Sequence, residues 1–202
     1  LDSIAAGRTI QDIAAVDADR FLLACLDAAS YPTLVMVTVN PDGTITHGKP
    51  YTVVSTAVTN GKVALAYDPQ TGVIAVNILG SNALCYFASA FGGAYQSLGS
   101  TQWYTGALTM PAVAYTGEPG GFIVGGVVSG ASVHYAKIAC GTGATPPASA
   151  TAYSAGITPD NACLKFTPFG PNRVFMVATA ASPAAALVGR VINAPAGGSP
   201  GL

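Results

Sequence analysis

The fold class can be inferred from the segment TLVMVTVNPDGTITH, residues 33–47. Its first half is rich in β-branched and apolar residues, which are typical of strands. Residues 40–43 (NPDG) are strong turn formers, and a second β-branched segment follows over residues 44–47. The pattern therefore predicts a β-hairpin with its turn at residues 40–43.

Similar segments recur along most of the chain. A second hairpin is predicted at Asn60-Gly61, between residues 51–59 and 62–67, because this dipeptide favours a tight turn. Further strands are expected at residues 73–79, 83–88, 108–115, 121–128, 132–138, 162–167 and 173–178. We find no repeat of fixed period. Many short strands separated by turns predict a mainly β fold, either a β-sandwich or a β-barrel.

The N-terminal segment has a different pattern. Apolar residues recur there at a spacing of three to four between Ile10 and Leu26, which predicts a helical segment over residues 10–29. Asp17 is placed to cap its second half. We therefore divide the chain into an N-terminal helical arm (1–30), a β-rich core domain (31–192) and a flexible C-terminal tail (193–202, NAPAGGSPGL).

Charge is scarce in this chain. Only 8% of its 202 residues are charged, against roughly 25% in ordinary soluble domains, and mean hydropathy is +0.48. Residues 28–202 contain four acidic and six basic side chains, with no basic cluster, so no nucleic acid contact is expected. The longest apolar stretches fall well short of the ~20 residues that span a bilayer, so we expect no membrane span.

The four cysteines are Cys25, Cys85, Cys140 and Cys163. A disulfide between Cys140 and Cys163 would close a loop rich in small residues and Pro, which would stabilise the fold by about 3 kcal/mol. The alternative is that free cysteines are buried as small apolar residues. We predict a possible disulfide between Cys140 and Cys163, and leave the pairing of the other two cysteines open.

Catalytic and metal-binding patterns are poorly represented. The two histidines are His47, beside Gly48 at a turn, and His134, within the alternating segment 132–135. Neither belongs to a recognisable catalytic or metal-ligating spacing. We predict no catalytic, cofactor-binding or metal-binding residue, and no enzymatic activity.

Residues 33–67 resemble the opening strands of the flavin-binding split barrels related to pyridoxamine phosphate oxidase. In that family a helix precedes a strand, a turn like NPDG and a return strand. The resemblance implies a flavin-binding oxidoreductase as an alternative function. However, the family's next segment brings Arg and Lys toward the flavin phosphate, and residues 73–90 contain no basic residue.

The leading hypothesis is a self-assembling structural subunit, either of a virus particle (coat, decoration or tail) or of an extracellular filament. Uncharged surfaces form large contacts between copies without the desolvation cost of burying charges. The expected partners are copies of the chain itself, and the expected location is extracellular or in a virion. A third hypothesis is a secreted adhesin or carbohydrate-binding module that uses Trp103, Tyr104 and Tyr95.

Overall fold

Every regular element of the computed structural model is a β-strand. The structure describes residues 7–58, 62–91, 94–128, 132–181 and 186–202. Sixteen strands in these ranges form four antiparallel sheets that follow one another along the chain, which we call blades 1 to 4. Strands account for 61% of the structure, and the described residues include no helix, so the prediction of a mainly β fold is confirmed. It follows that no described helix is long and apolar enough to cross a membrane.

The strand bounds are as follows. Blade 1 contains β1 (Thr9–Ala15), β2 (Arg20–Leu26), β3 (Pro32–Val39), β4 (Ile45–His47) and β5 (Tyr51–Thr52). Blade 2 contains β6 (Val63–Tyr67), β7 (Val73–Leu79), β8 (Asn82–Phe91) and β9 (Ala94–Thr105). Blade 3 contains β10 (Thr109–Tyr115), β11 (Gly121–Val128), β12 (Ser132–Ala139) and β13 (Tyr153–Ser154). Blade 4 contains β14 (Pro159–Pro168), β15 (Arg173–Ala180) and β16 (Ala186–Asn193).

The blades share one topology and one common centre. Each begins with three strands that pair in chain order, as in a β-meander. First strands of consecutive blades are in contact, β1 with β6, β6 with β10 and β10 with β14, whereas no strand contact of similar extent joins blade 4 to blade 1 among the described residues. All four first strands line a cavity of about 210 Å³ through Gln11, Val63, Met110 and Leu164 among others. This is the arrangement of a four-bladed β-propeller rather than the expected sandwich or barrel.

Apolar residues fill the joint between each blade and the next. Leu22 of blade 1 packs with Ile74 of blade 2, and Phe87 of blade 2 packs with Phe122 of blade 3. The joint between blades 3 and 4 contains, among others, Met176. A fourth buried cluster lies on the opposite face of blade 1 and consists of Leu23, Cys25, Val35 and Val37. Two-sided burial explains why the strands of blade 1 lack a simple alternation of apolar and polar residues.

The predicted N-terminal helix is wrong, because residues 10–29 form a hairpin of β1 and β2. Five consecutive residues, 22–26, are buried, and a short apolar run does not distinguish a strand from a helix. Asp17 does accept backbone N–H groups, from Asp19 at 3.2 Å and Arg20 at 2.9 Å. A helix cap and a tight turn both use hydrogen bonds from a side-chain oxygen to backbone N–H groups two or three residues later. Asp17, which is predicted to cap a helix, therefore closes the turn of a hairpin instead.

The two predicted hairpins have different outcomes. The one at residues 40–43 is confirmed, since β3 pairs with β4 and Asn40 donates its N–H to Thr44 at 2.8 Å. The turn predicted at Asn60-Gly61 lies outside the described residues. The strands on either side of it belong to different blades, because β5 pairs with β3 and β6 pairs with β7.

The proposed division of the chain does not follow the blades. A boundary at residue 30 separates β2 from β3, which pair along their whole length. The C-terminal segment is held at several points: Asn193 and Gly201 exchange two backbone hydrogen bonds, and Ala194 donates its N–H to Asn172 at 2.7 Å. In the structure, residues 193–202 are therefore docked on the protein rather than a free tail.

Candidate functional site

His134 is hydrogen-bonded to a serine on its own strand. Its Nε2 is 2.7 Å from the Ser132 Oγ, two residues away on β12, and the Tyr104 ring packs against its imidazole. Burial lowers the pKa of His134. A nucleophilic serine needs a base that a third group orients, and no carboxylate among the described residues is hydrogen-bonded to His134. The pair is better explained as a satisfied polar contact at the end of a strand.

The three aromatic residues suggested for carbohydrate binding have different surroundings. Trp103 is 1% exposed and donates its indole N–H to Asn77 Oδ1 at 3.0 Å, so it belongs to the joint between blades 2 and 3. Tyr104 is held between Trp103 and His134. Tyr95 lines a cleft of about 460 Å³, whereas Trp103 and Tyr104 line a different cleft of about 340 Å³.

The four cysteines are free thiols in this structure. Cys140 lies in the joint between blades 2 and 3, together with Cys85. Cys163 lies on β14 of blade 4, and its backbone N–H donates to Thr179 Oγ1 at 2.9 Å. The two members of the predicted disulfide therefore occupy different blades, and the bond is not formed in the structure.

The candidate site is a cleft of about 460 Å³ at the rim between blades 1 and 2, which we call the basic cleft. Its lining residues come from β2, β3, β4 and the following loop of blade 1, and from β8 and β9 of blade 2. They are Arg20, Met36, Thr38, Thr46, His47, Gly48, Lys49, Ala90 and Tyr95.

Strand register places three polar residues in a row along one wall of the basic cleft. Arg20 of β2 is paired with Thr38 of β3, and Thr38 is paired with Thr46 of β4. Paired residues on neighbouring strands point to the same face, with Cβ atoms about 5 Å apart. The same face carries Leu22 and Met36 two residues further along, so the cleft begins where the apolar joint between the blades ends.

The charges at the basic cleft are mostly positive. Arg20 Nε donates to Asp17 Oδ2 at 2.7 Å, an exposed ion pair that raises the pKa of Arg20 and lowers that of Asp17. Lys49 is exposed at the mouth of the cleft. His47 Nδ1 is 3.2 Å from the carbonyl oxygen of Gly48.

Tyr95 forms the opposite wall. Its ring stacks on Tyr51, with 5.1 Å between ring centroids. Its hydroxyl oxygen is buried and lacks a well-formed hydrogen bond among the described residues, although the Met36 backbone interacts with it. Burial raises the pKa of Tyr95 to about 12, so the hydroxyl remains a protonated donor at neutral pH.

Sequence reasoning missed the basic cleft because its residues are distant in the chain and individually ordinary. Arg20 lies in the segment whose spacing predicts a helix, and Thr38 and Thr46 are typical strand residues. Only the pairing of β2, β3 and β4 brings them together. The one available signal was that Arg20 and Lys49 flank the NPDG hairpin in a chain with few charges.

Comparison with known proteins supports the fold alone. No protein-family model matches the sequence, and the comparison with curated proteins finds no match. Among solved structures, 23 chains match. One, described as "Structure of U3-55K", has a TM-score of 0.56 and 10% sequence identity over 90% of this chain. This chain spans about half the length of that one, 51%.

Proposed function

We propose that this protein is a structural subunit that assembles head-to-tail with copies of itself, in a virus particle or an extracellular filament. The observation that supports the proposal is the position of its exposed apolar side chains. Among the described residues, large exposed apolar side chains occur on blades 1 and 4 and at the C-terminus, and none on blades 2 and 3. They are Ile10, Ile13, Val39, Ile45, Phe169, Leu187 and Leu202.

On blade 1, the exposed residues extend an apolar face. Ile10 is paired with Cys25, and Ile13 with Leu23, so both isoleucines share the face that carries the fourth buried cluster. They are 53% and 57% exposed. This face is the one directed away from blade 2, which we call the outer face of blade 1.

Blade 4 has an apolar outer face as well, directed away from blade 3. Phe175 is paired with Val191, and the same face carries Val177 and Leu187. Leu187 is 72% exposed, the largest value among the exposed apolar residues. Phe175 fits closely against the strand because position 189 is glycine, where a Cβ atom would lie 2.6 Å from the ring.

The internal joints indicate how these two faces would combine. In each joint, one blade packs the face directed toward the next blade in the chain against the face of that next blade directed back toward it. The outer face of blade 4 corresponds to the first kind of face, and the outer face of blade 1 to the second. A contact between two copies that repeats this rule is heterologous, and heterologous contacts produce rings or filaments.

The small number of charges supports the same proposal. A surface with only ten charged residues beyond residue 27 resists self-association poorly. We expect each contact to bury at least ~800 Å² per copy and to be insensitive to salt, because screening acts on charges.

Light scattering of the purified protein at low and high salt tests the proposal. We expect assemblies larger than one chain under both conditions. Ile13→Asp should block the outer face of blade 1, and Leu187→Asp that of blade 4. Ser97→Asp, at an exposed site on blade 2, is the matched control and should assemble like the original chain.

Mixing the two blocked variants gives a sharper test. Each retains one working face, so the Ile13→Asp and Leu187→Asp variants should be monomeric alone and form a dimer together. A symmetric contact would not show this complementation. A stable monomer of the original chain under both salt conditions would contradict the proposal.

A further inference from the structure

We propose that the basic cleft binds a small molecule through an oxyanion group, a carboxylate, sulfate or phosphate, held by Arg20, Lys49, Thr38 and Thr46. This inference is independent of assembly, because it concerns the rim between blades 1 and 2 of a single chain.

The chemistry of the lining residues supports an acceptor-rich ligand. Arginine and lysine only donate hydrogen bonds, and threonine and tyrosine hydroxyls donate readily. None of the described lining residues carries a carboxylate. Asp17 occupies the Nε and Nη2 atoms of Arg20, which leaves the other edge of the guanidinium for a ligand. A group with several acceptor oxygens and negative charge fits this set.

Lys137 is an example of a lysine whose ammonium group has all its hydrogen bonds within the protein. It lines another cavity, of about 380 Å³, but its ammonium donates to Glu118 Oε2 at 2.9 Å, to the carbonyl oxygen of Ala194 at 3.2 Å and to that of Pro195. All three N–H groups are therefore used within the protein. Lys49 carries the same charge at the basic cleft, but it forms no ion pair with any residue that the structure describes.

Tyr95 provides an independent observation. A buried hydroxyl without a partner is rare in folded proteins and calls for an explanation. Tyr95 lines the cleft, and its buried hydroxyl lacks a well-formed hydrogen bond among the described residues. A ligand oxygen would pair with this hydroxyl only after a small movement of the Tyr95 side chain, because the hydroxyl oxygen has no exposed surface in this structure.

The size of the cleft limits the ligand. Its volume of about 460 Å³ is within the range of small-molecule sites and exceeds the space that a single oxyanion fills. The oxyanion should therefore belong to a small organic molecule, such as a carboxylated or sulfated monosaccharide.

Calorimetric titration of the full chain with four probes tests this proposal. The probes are inorganic sulfate, inorganic phosphate, glucuronate and, as the uncharged control, glucose. We expect binding in the millimolar range or tighter for at least one anion and none for glucose. Binding of glucuronate alone would identify a carboxylated sugar, whereas binding of all three anions would identify a general oxyanion site.

Three variants assign the binding to this cleft. Lys49→Gln and Thr46→Val should each weaken anion binding by tenfold or more, and Tyr95→Phe should weaken it less. Lys62→Gln removes a charge at the central cavity and should leave binding unchanged. Thermal melting confirms that each variant is folded. Absence of binding by all three anions, or unchanged binding by both Lys49→Gln and Thr46→Val, would overturn the proposal.

Discussion

The joint between blades 2 and 3 and the outer face of blade 4 are both apolar, but they differ in their polar contacts. Across the joint, Asn77 donates to the carbonyl oxygens of Ala112 at 3.0 Å and Gly125 at 2.9 Å. Its own carbonyl oxygen accepts the indole N–H of Trp103. Such a network fixes the register of two blades, because a shift by one residue would leave three buried groups unpaired.

The outer face of blade 4 packs mainly on itself. The Phe169 and Phe175 rings lie 6.1 Å apart, and the Arg173 guanidinium is 5.5 Å from the Phe169 ring. Among the residues that the structure describes, only one buried cluster includes residues of blade 4; it lies between blades 3 and 4, on the opposite face. The comparison indicates that polar contacts specify the joint between blades 2 and 3, whereas the outer face of blade 4 is held by contacts within its own blade.

Removing the Asn77 side chain should have the largest effect. Asn77→Ala leaves the Trp103 indole N–H and two carbonyl oxygens without their partner in a fully buried joint. We expect a loss of about 3 kcal/mol in the free energy of unfolding, measured by urea denaturation. Asn82→Ala, at an exposed position on the same blade, should change it by less than about 0.5 kcal/mol. Equal effects of the two substitutions would show that the network does not stabilise the joint.

This joint also shows why the sequence predicts individual strands better than it predicts how the four sheets pack together. The position of Asn77 within the apolar run of residues 73–79 was visible, but its partners are 26 to 48 residues away. Turn-forming residues and β-branched runs identified most strands because those signals are local. How sheets stack depends on contacts between distant residues, which the sequence pattern does not reveal.

The repeat was missed because its spacing varies. The first strands of the blades begin at Thr9, Val63, Thr109 and Pro159, which are unequal intervals. A weak signal does exist where these strands end: residues 13–17 (IAAVD), 64–68 (ALAYD) and 112–116 (AVAYT) are similar. Each is followed by the turn into the second strand of its blade. The residues before each turn therefore indicate the repeat better than any fixed period does.

The turns after β1 and β6 each contain an aspartate, and the two aspartates differ in whether they contact the next blade. Asp68, in blade 2, is fully buried and accepts N–H groups from Gln70 at 2.8 Å and from Gly120 of blade 3 at 2.7 Å. Asp17 holds the equivalent place in blade 1, but it is exposed and bonds only within its own turn. The same residue type therefore joins two blades in one case and closes a hairpin in the other.

Asp68→Ala should lower the free energy of unfolding by about 2 kcal/mol, because it leaves buried N–H groups without an acceptor. Asp17→Ala should have a much smaller effect, since water replaces its exposed bonds. Urea denaturation of both variants measures the difference. If Asp17→Ala were as destabilising as Asp68→Ala, the contact to blade 3 would not be what distinguishes the two turns.

Tyr115 provides the finest test of this joint, through its response to alkaline pH. Its hydroxyl oxygen accepts a hydrogen bond from Gln70 Nε2 at 2.6 Å, and burial together with nearby Asp68 raises its pKa to about 12. The unfolded chain ionises near the ordinary phenol pKa of about 10. Above that pH the unfolded state binds fewer protons than the folded state. The contribution of Tyr115 to the free energy of unfolding is therefore fully present below about pH 10 and falls as pH rises toward 12.

In urea denaturation between pH 9 and 11, Tyr115→Phe should lose less stability than the original chain. The same decline in both would mean that Tyr115 ionises as easily in the folded protein as in the unfolded chain, and that the turn of blade 2 is looser than its hydrogen bonds indicate.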